Sequence, residues 1–227
     1  MIQGLQLWLA ATNCWIVAPD GPGGECVLVD APPQPDAILG RLAELELRVV
    51  ALVATHGHVD HVGGIGTVVR SAAGSGPAPV PVHLHEADHH MILDPVATSV
   101  SLGELLAHTD LDLRPPELLL GLDDGERVSG AGMTFTAIHT PGHTPGSVCL
   151  MLESLGEPPV LFSGDHLFAG SVGRTDLPGG SHEQLLASMA EKILPLRDEV
   201  LVLPGHGPTT TVGHERAHNP FLKDLAP

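Results

Sequence analysis

The chain of 227 residues contains no tyrosine and only four phenylalanines and two tryptophans. Proteins that grip single-stranded nucleic acid stack bases on aromatic rings, so that class is excluded. Lysine is nearly absent as well: Lys192 and Lys223 are the only two, and ten basic residues face 27 acidic ones for a formal net charge of −17. A surface of that sign repels polyanions, which argues against nucleic acid and anionic membrane as partners. Apolar runs stop after six to nine residues at a charge, glycine or proline, too short to cross a bilayer. Met1-Ile2-Gln3-Gly4 sets no basic stretch before an apolar one, so no export signal is read and a cytoplasmic location is expected. Cysteine is scarce too. Cys14, Cys26 and Cys149 form no CxxC pair and cannot all be bridged, so buried free thiols in a reducing compartment are expected.

What the chain does have is aliphatic residues and histidine. A hydrophobic fraction of 43% supports a sizeable core built on Leu, Val, Ile and Ala, and one domain over residues 1–227 is expected. The 15 histidines stand out, because imidazole is the commonest metal ligand and is neutral near pH 7.

Patterning predicts strands at 5–9, 13–18 and 25–29, the last two divided by the turn sequence Pro19-Asp20-Gly21-Pro22-Gly23-Gly24. Ile38, Leu42 and Leu45 predict a helix from Pro35 to about Leu47, and the apolar run 49–54 predicts a strand buried on both faces. A helix over 64–73, a break rich in Gly, Pro and Ser, a strand over 80–84 and a helix over 86–92 follow. Residues 99–122 are too mixed to assign. Strands are expected at 133–138, 148–152, 160–163 and 200–203, with a helix over 183–193. The mixture points to an α/β fold of two sheets flanked by helices.

The unusual polar residues follow predicted strands. His56, His58, Asp60 and His61 come after 49–54, His143 after 133–138, Asp165 after 160–163 and His206 after 200–203. Loops leaving strand ends can carry side chains into one cleft. His56 and His58, two apart, project to the same side of an extended segment, and Asp60 and His61 begin the turn into Gly63-Gly64. Five imidazoles and two carboxylates exceed what one tetrahedral zinc takes, but suit two ions if one carboxylate bridges. Asp165 is the natural bridge, as the carboxylate outside the first cluster that directly follows a buried strand. His83, His85, His89 and His90 are expected at the surface or behind the ligands rather than around a third metal. His166 could support a ligand or be simple loop polarity.

These motifs resemble the metallo-β-lactamase superfamily. Thr55-His56-Gly57-His58-Val59-Asp60-His61 looks like its THxHxDH signature, while Thr140-Pro141-Gly142-His143, Ser163-Gly164-Asp165 and Pro204-Gly205-His206-Gly207 look like its later metal motifs. The resemblance implies a four-layer αββα sandwich, one ion on His56, His58 and His143, a second on Asp60, His61 and His206, and Asp165 between them. Within the superfamily the chain is similar to the glyoxalase II group, the hydroxyacylglutathione hydrolases, and to their short bacterial relatives. The run from Gly164 to Gly180 and the segment Thr210 to Leu222 carry this similarity.

That resemblance implies hydrolysis of S-acyl thioesters on two divalent ions, zinc with iron or manganese as substitutes, with Asp60 orienting the nucleophile. Two departures bear on the thiol. Only 21 residues follow His206, where full-length members carry a helical domain, and Asp176 stands where they use a tyrosine. Arg174 could contact a substrate carboxylate or pair with Asp176. A β-lactamase of the di-zinc type would place cysteine at Asp165 and be exported, and lactonases of the family use a tyrosine, so both are disfavoured. The rival is a persulfide dioxygenase branch that shares a Gly-Arg-Thr-Asp phrase like Gly173-Arg174-Thr175-Asp176. It would hold a single iron on His56, His143 and Asp165, a facial triad.

Overall fold

The computed structural model of the chain describes residues 1–73, 78–99, 106, 108, 110–152, 158–223 and 225. Strands β1 (Ile2–Leu7), β2 (Thr12–Val17), β3 (Glu25–Val29), β4 (Arg48–Val53), β5 (Val82–His83) and β6 (Leu119–Leu120) form one sheet in sequence order. The second sheet contains β7 (Arg127–Gly130), β8 (Met133–His139), β9 (Val148–Leu152), β10 (Val160–Gly164), β13 (Leu201–Pro204) and β14 (Thr210–Thr211), ordered β14-β13-β10-β9-β8-β7. A small hairpin, β11 (Leu167–Phe168) and β12 (Ser171–Val172), leaves the end of β10.

Alternation along the strands builds the layers. Trp15, Val17, Val27, Val29, Ala51 and Val53 meet Phe135, Leu150 and Phe162 between the sheets. Their neighbours Cys14, Ile16, Cys26, Leu28 and Leu52 point the other way, into helices α1 (Pro35–Glu44) and α3 (Ile65–Ala73). On the far side Cys149, Met151, Leu161 and Val202 pack against Met189, Ile193 and Val212, beneath helices α6 (His182–Ser188) and α7 (Val212–His218). A period of two thus fills three apolar layers from two sheets, giving the four-layer αββα arrangement expected. All three cysteines are unpaired and buried, and burial pushes the Cys26 and Cys149 thiols up to about 12.

Several boundaries differ from the sequence reading. The first strand ends at Leu7, because Trp8 and Ala11 adopt positive φ (60° and 54°) in the turn to β2. Helix α1 stops at Glu44, and Glu46 at φ 53° turns the chain away. Only Val82–His83 pairs within the expected strand 80–84, since Pro81 has no N–H to offer a ladder. The helix expected over 86–92 splits into a 3₁₀ turn, Glu86–Asp88, and α4, His89–Leu93. The expected helix 183–193 is α-helical over α6 and π-helical over Met189–Ile193. Short helices α2 (Val59–Val62) and α5 (Pro95–Thr98) are also among the described residues. Residues 74–77, in the expected break, and much of 99–109 lie outside the described residues.

Phe162 is fully buried between the sheets, its ring 6.3 Å from Trp15 and 6.0 Å from Phe135. Phe162→Ala is expected to destabilise the protein by about 3–5 kcal/mol. Phe221→Ala, at a half-exposed ring, should stay within about 0.5 kcal/mol. Urea unfolding in excess chelator reads both free of metal linkage. Equal midpoints for the two variants would contradict the assignment of Phe162 to the core.

Candidate metal centre

Four strands end at one edge of the sandwich: β4 leads into His56 to His61, β8 into His143, β10 into Asp165 and β13 into His206. The strands β10 and β13 pair in parallel, so their loops leave side by side. Gly164, at φ 49°, makes the sharp exit from β10 possible, and a Cβ there would lie 2.6 Å from the Thr55 side chain. A Cβ at Gly205 would collide with Asp165 Oδ1 and the His61 ring. Both positions therefore require glycine.

All seven sequence-derived candidates come together. His56 Nε2, His58 Nδ1 and His143 Nε2 form a triangle with edges of 3.1, 2.8 and 3.2 Å. On the other side His61 Nε2 and His206 Nε2 are 3.3 Å apart, and Asp60 Oδ2 lies 3.6 and 3.3 Å from them. Asp165 faces both groups: its Oδ1 is 3.2 Å from His61 Nε2, and its Oδ2 is 3.4 Å from His206 Nε2 and 3.5 Å from His143 Nε2. Two ligands at about 2.0–2.1 Å around a tetrahedral ion stand roughly 3.3 Å apart, so these spacings suit coordination.

The outer ring atoms decide which nitrogen faces inward. His143 Nδ1 donates to the Arg174 carbonyl (2.7 Å) and His206 Nδ1 to the Ala10 carbonyl (3.1 Å). His61 Nδ1 donates to Asp30 Oδ2 at 2.8 Å. The Thr55 hydroxyl donates to that same carboxylate at 2.8 Å, leaving its oxygen to accept from His56 Nδ1 at 3.2 Å. With Nδ1 hydrogen-bonded outward in four rings, four Nε2 atoms face the centre. Those of His56 and His143 face each other as lone pairs, an arrangement that a cation between them would relieve. Asp165 Oδ1 adds a buried carboxylate oxygen without a hydrogen-bond partner among the described residues. Neutral imidazoles and carboxylates at this spacing fit two divalent transition-metal ions sharing Asp165.

The two halves differ in charge. Burial, with neighbouring imidazoles adding to it, holds His56 well below the ordinary range and pushes His58 down to about 4. Burial opposes charge on His61 and His206 also, but Asp165 and Asp60 outweigh it, raising His61 strongly and His206 to about 9. Burial likewise works against ionisation of Asp60 and Asp165. His61 and His206 prevail, so Asp60 lies at about 2 and Asp165 well below the usual carboxylate range.

Two residues unforeseen in the sequence hold this arrangement. Asp30, buried at the end of β3, accepts from Thr55 N (2.8 Å) besides the Thr55 hydroxyl and His61. Asp88, also buried, accepts from Gly57 N (3.0 Å), the Thr144 hydroxyl (2.6 Å) and Gly146 N (2.8 Å). It thereby ties the loop of His56 and His58 to the loop of His143. Asp30 follows an apolar strand just as the ligands do, a signal that could have found it. Asp88 sits in a polar turn with no distinguishing spacing.

The centre opens on a cavity of about 460 Å³ whose floor includes His58, Asp60, His143, Asp165 and His206. Arg174 is on its wall and pairs with Asp176 through two contacts of 2.7 Å, the second of its two expected placements. His166 is buried, yet neither ring nitrogen has a hydrogen-bond partner among the described residues, and burial followed by His143 pushes it down to about 3. It neither supports a ligand by hydrogen bonding nor decorates a surface. His85 stacks on His139 at 4.1 Å, His89 Nε2 donates to the Leu84 carbonyl, and neither histidine joins a metal-sized cluster.

The division of support yields a paired prediction. Asp88→Ala should weaken metal binding on the His56/His58/His143 side about 10–100-fold, and Asp30→Ala should do so on the Asp60/His61/His206 side. Competitive chelator titration resolves the two equivalents. Unchanged affinity at both equivalents in either variant would refute the supporting role assigned to that residue.

Comparison with known proteins agrees with this geometry. The family described as the metallo-beta-lactamase superfamily matches residues 7–214. The hydroxyacylglutathione hydrolase GloC of Haemophilus influenzae is 31% identical over 210 residues, covering 92% of this chain and 92% of that relative. The solved structure of BLEG-1, a B3 metallo-beta-lactamase, superposes with a TM-score of 0.84 at 37% identity, covering 98% of this chain and 100% of the other. The structure of TTHA1623 in a di-iron-bound form has a TM-score of 0.76 at 34% identity, covering 97% and 100%. An αββα sandwich with a His/Asp cluster at its strand ends, matched over nearly its whole length, belongs to the metallo-β-lactamase superfamily.

Proposed function

We propose that the chain, acting as one domain over residues 1–227, is a metal-dependent hydrolase of S-acyl thioesters. The observation that carries this reading is the shared carboxylate. Asp165 touches both halves of the donor set, which makes one continuous centre at the floor of a single cavity. Similarity to a relative named as a hydroxyacylglutathione hydrolase supports thioesters as the substrate class.

In this reading His56, His58 and His143 would hold one ion and Asp60, His61 and His206 the other, with Asp165 shared between them. Two divalent ions, which we take to be zinc, would supply when bound a water whose pKa falls toward about 7 and a Lewis acid for the carbonyl. Asp60 is kept ionised at pH 7, and the Thr12 hydroxyl donates to its Oδ2 at 3.1 Å. That contact fixes the carboxylate so that it can accept a hydrogen bond from the attacking water and orient it. His206, held through Nδ1 by Ala10, and His143, held by Arg174, keep the two sides of the floor in register. A thiol has a pKa of about 8.5 and leaves without a strong acid, which suits a floor that offers no further proton donor beyond the metal-facing groups.

The persulfide dioxygenase reading needs only His56, His143 and Asp165, and it leaves the close placement of His58, Asp60, His61 and His206 without a role. Protein isolated without added metal should carry close to two ions per chain, with zinc dominant, and should cleave a lactoyl thioester without consuming oxygen. Chelation should abolish the activity. Asp165→Ala should lose nearly all of it while the sandwich stays folded, whereas His61→Ala should lose mainly the second ion. Elemental analysis, thioester cleavage, persulfide-dependent oxygen uptake and a cephalosporin control are run on one preparation. A single iron with oxygen uptake and little thioesterase would sink the hydrolase reading in favour of its rival.

A further inference from the structure

Above the metal-facing floor, the cavity wall is mainly apolar, with Thr98, Ser99 and Arg174 as its polar members among the described residues. Val59 and Met91 line it from the α2 and α4 side, while Phe168, Val172, Leu177 and Pro178 line it from the hairpin and loop after Asp165. Phe168 reaches over the centre, its ring 6.0 Å from that of His206. Ala10 forms part of the rim, and Leu9 beside it in the turn between β1 and β2 is 78% exposed.

Fixed positive charge is missing from the same wall. Arg174 is the single lysine or arginine among the described lining residues, and both of its bonded nitrogens are taken up by Asp176. Glutathione carries two carboxylates on its arms. Seating both here would leave at least one of them against hydrocarbon, since Arg174 alone offers a cation and shares it with Asp176, inside a protein of net charge −17.

We propose that the substrate is a thioester with an uncharged, apolar arm, packed between Met91 and Val59 on one side and Phe168, Val172 and Leu177 on the other. The proposal rests on the thioesterase reading above and names its substrate class. Each methylene buried against such a wall is worth up to about a fourfold gain in kcat/KM. A cavity of about 460 Å³ accommodates several of them beside the reacting carbonyl.

The test uses the metal-loaded protein. Acyl esters of a neutral thiol, N-acetylcysteamine, are compared from acetyl to octanoyl, and each acyl group is compared with its glutathione ester. Efficiency should climb with chain length, and the neutral thiol should be favoured at least tenfold. Leu177→Arg should flatten the climb and raise the glutathione arm, while Arg174→Ala should leave the order of substrates as it was. Binding of the non-hydrolysable thioethers S-hexyl-N-acetylcysteamine and S-hexylglutathione is followed by calorimetry, so the wall is read apart from the chemistry. Tighter binding of the neutral thioether with no thioester cleaved would keep the wall assignment and remove the thioesterase reading. Cleavage with a tenfold preference for glutathione esters that disappears in Arg174→Ala would overturn the proposal and keep the hydrolase. A flat series, or binding of neither thioether, would also overturn it.

Discussion

The centre depends on holding like groups against one another. Three imidazole nitrogens sit at 2.8 to 3.2 Å in one triangle, and two more stand 3.3 Å apart beside a buried carboxylate. Asp60 and Asp165 draw His61 and His206 inward, but nothing attracts the three imidazoles of the triangle to one another without a cation. The fold therefore has to supply the positioning energy before any ion arrives. It does so through groups behind the ligands. Asp30 holds Thr55 and His61, Asp88 holds the loops of His56/His58 and His143, and backbone carbonyls of Ala10 and Arg174 hold two more rings. Each contact also selects a tautomer, so orientation and ligand chemistry are set by the same hydrogen bond.

Those groups can act because of how the sheets are joined. The parallel pairs β3–β4 and β10–β13 each send two strand ends to the same edge, which brings Asp30 beside Thr55 and Asp165 beside Pro204-Gly205-His206. Antiparallel hairpins alone would have sent successive loops to opposite edges. The isolated bridge from Thr12 to His206 then stitches the first sheet to the second directly over the centre. Packing of Phe135, Phe162 and Trp15 between the sheets keeps the two halves of the donor set at a fixed separation.

Much of this is legible in the sequence because ligands cluster where strands end. His56, His58, Asp60 and His61 crowd six residues after an apolar run, and His143, Asp165 and His206 each follow a recognisable strand or its turn. The alternation of Val27, Leu28 and Val29, or of Val160, Leu161 and Phe162, is obscured in the sequence because both faces are buried, yet it sorts these side chains into different layers. What escapes are features that depend on partners distant in the chain. Asp88 takes its hydrogen bonds from Gly57, Thr144 and Gly146, up to 58 residues away, and nothing local distinguishes it from a solvated acid. The two-residue strands β5, β6, β11, β12 and β14 carry too few residues for a period, and the π-helical turn Met189–Ile193 has the same apolar spacing as an α-helix.

Charge explains why no lysine or arginine side chain is needed at the floor. Two divalent ions would bring four positive charges into a low-dielectric pocket, and the carboxylates of Asp30, Asp60, Asp88 and Asp165 supply four negative ones within or directly behind the ligand loops. A loaded centre would then be close to neutral, which leaves most of the wall to hydrocarbon, with Arg174 paired to Asp176 at its edge. Walls of low dielectric strengthen the electrostatic contacts on the floor. The four carboxylates around the ligand loops and the mainly hydrocarbon lining of the cavity thus follow from one constraint, the need to concentrate compensating charge at the centre.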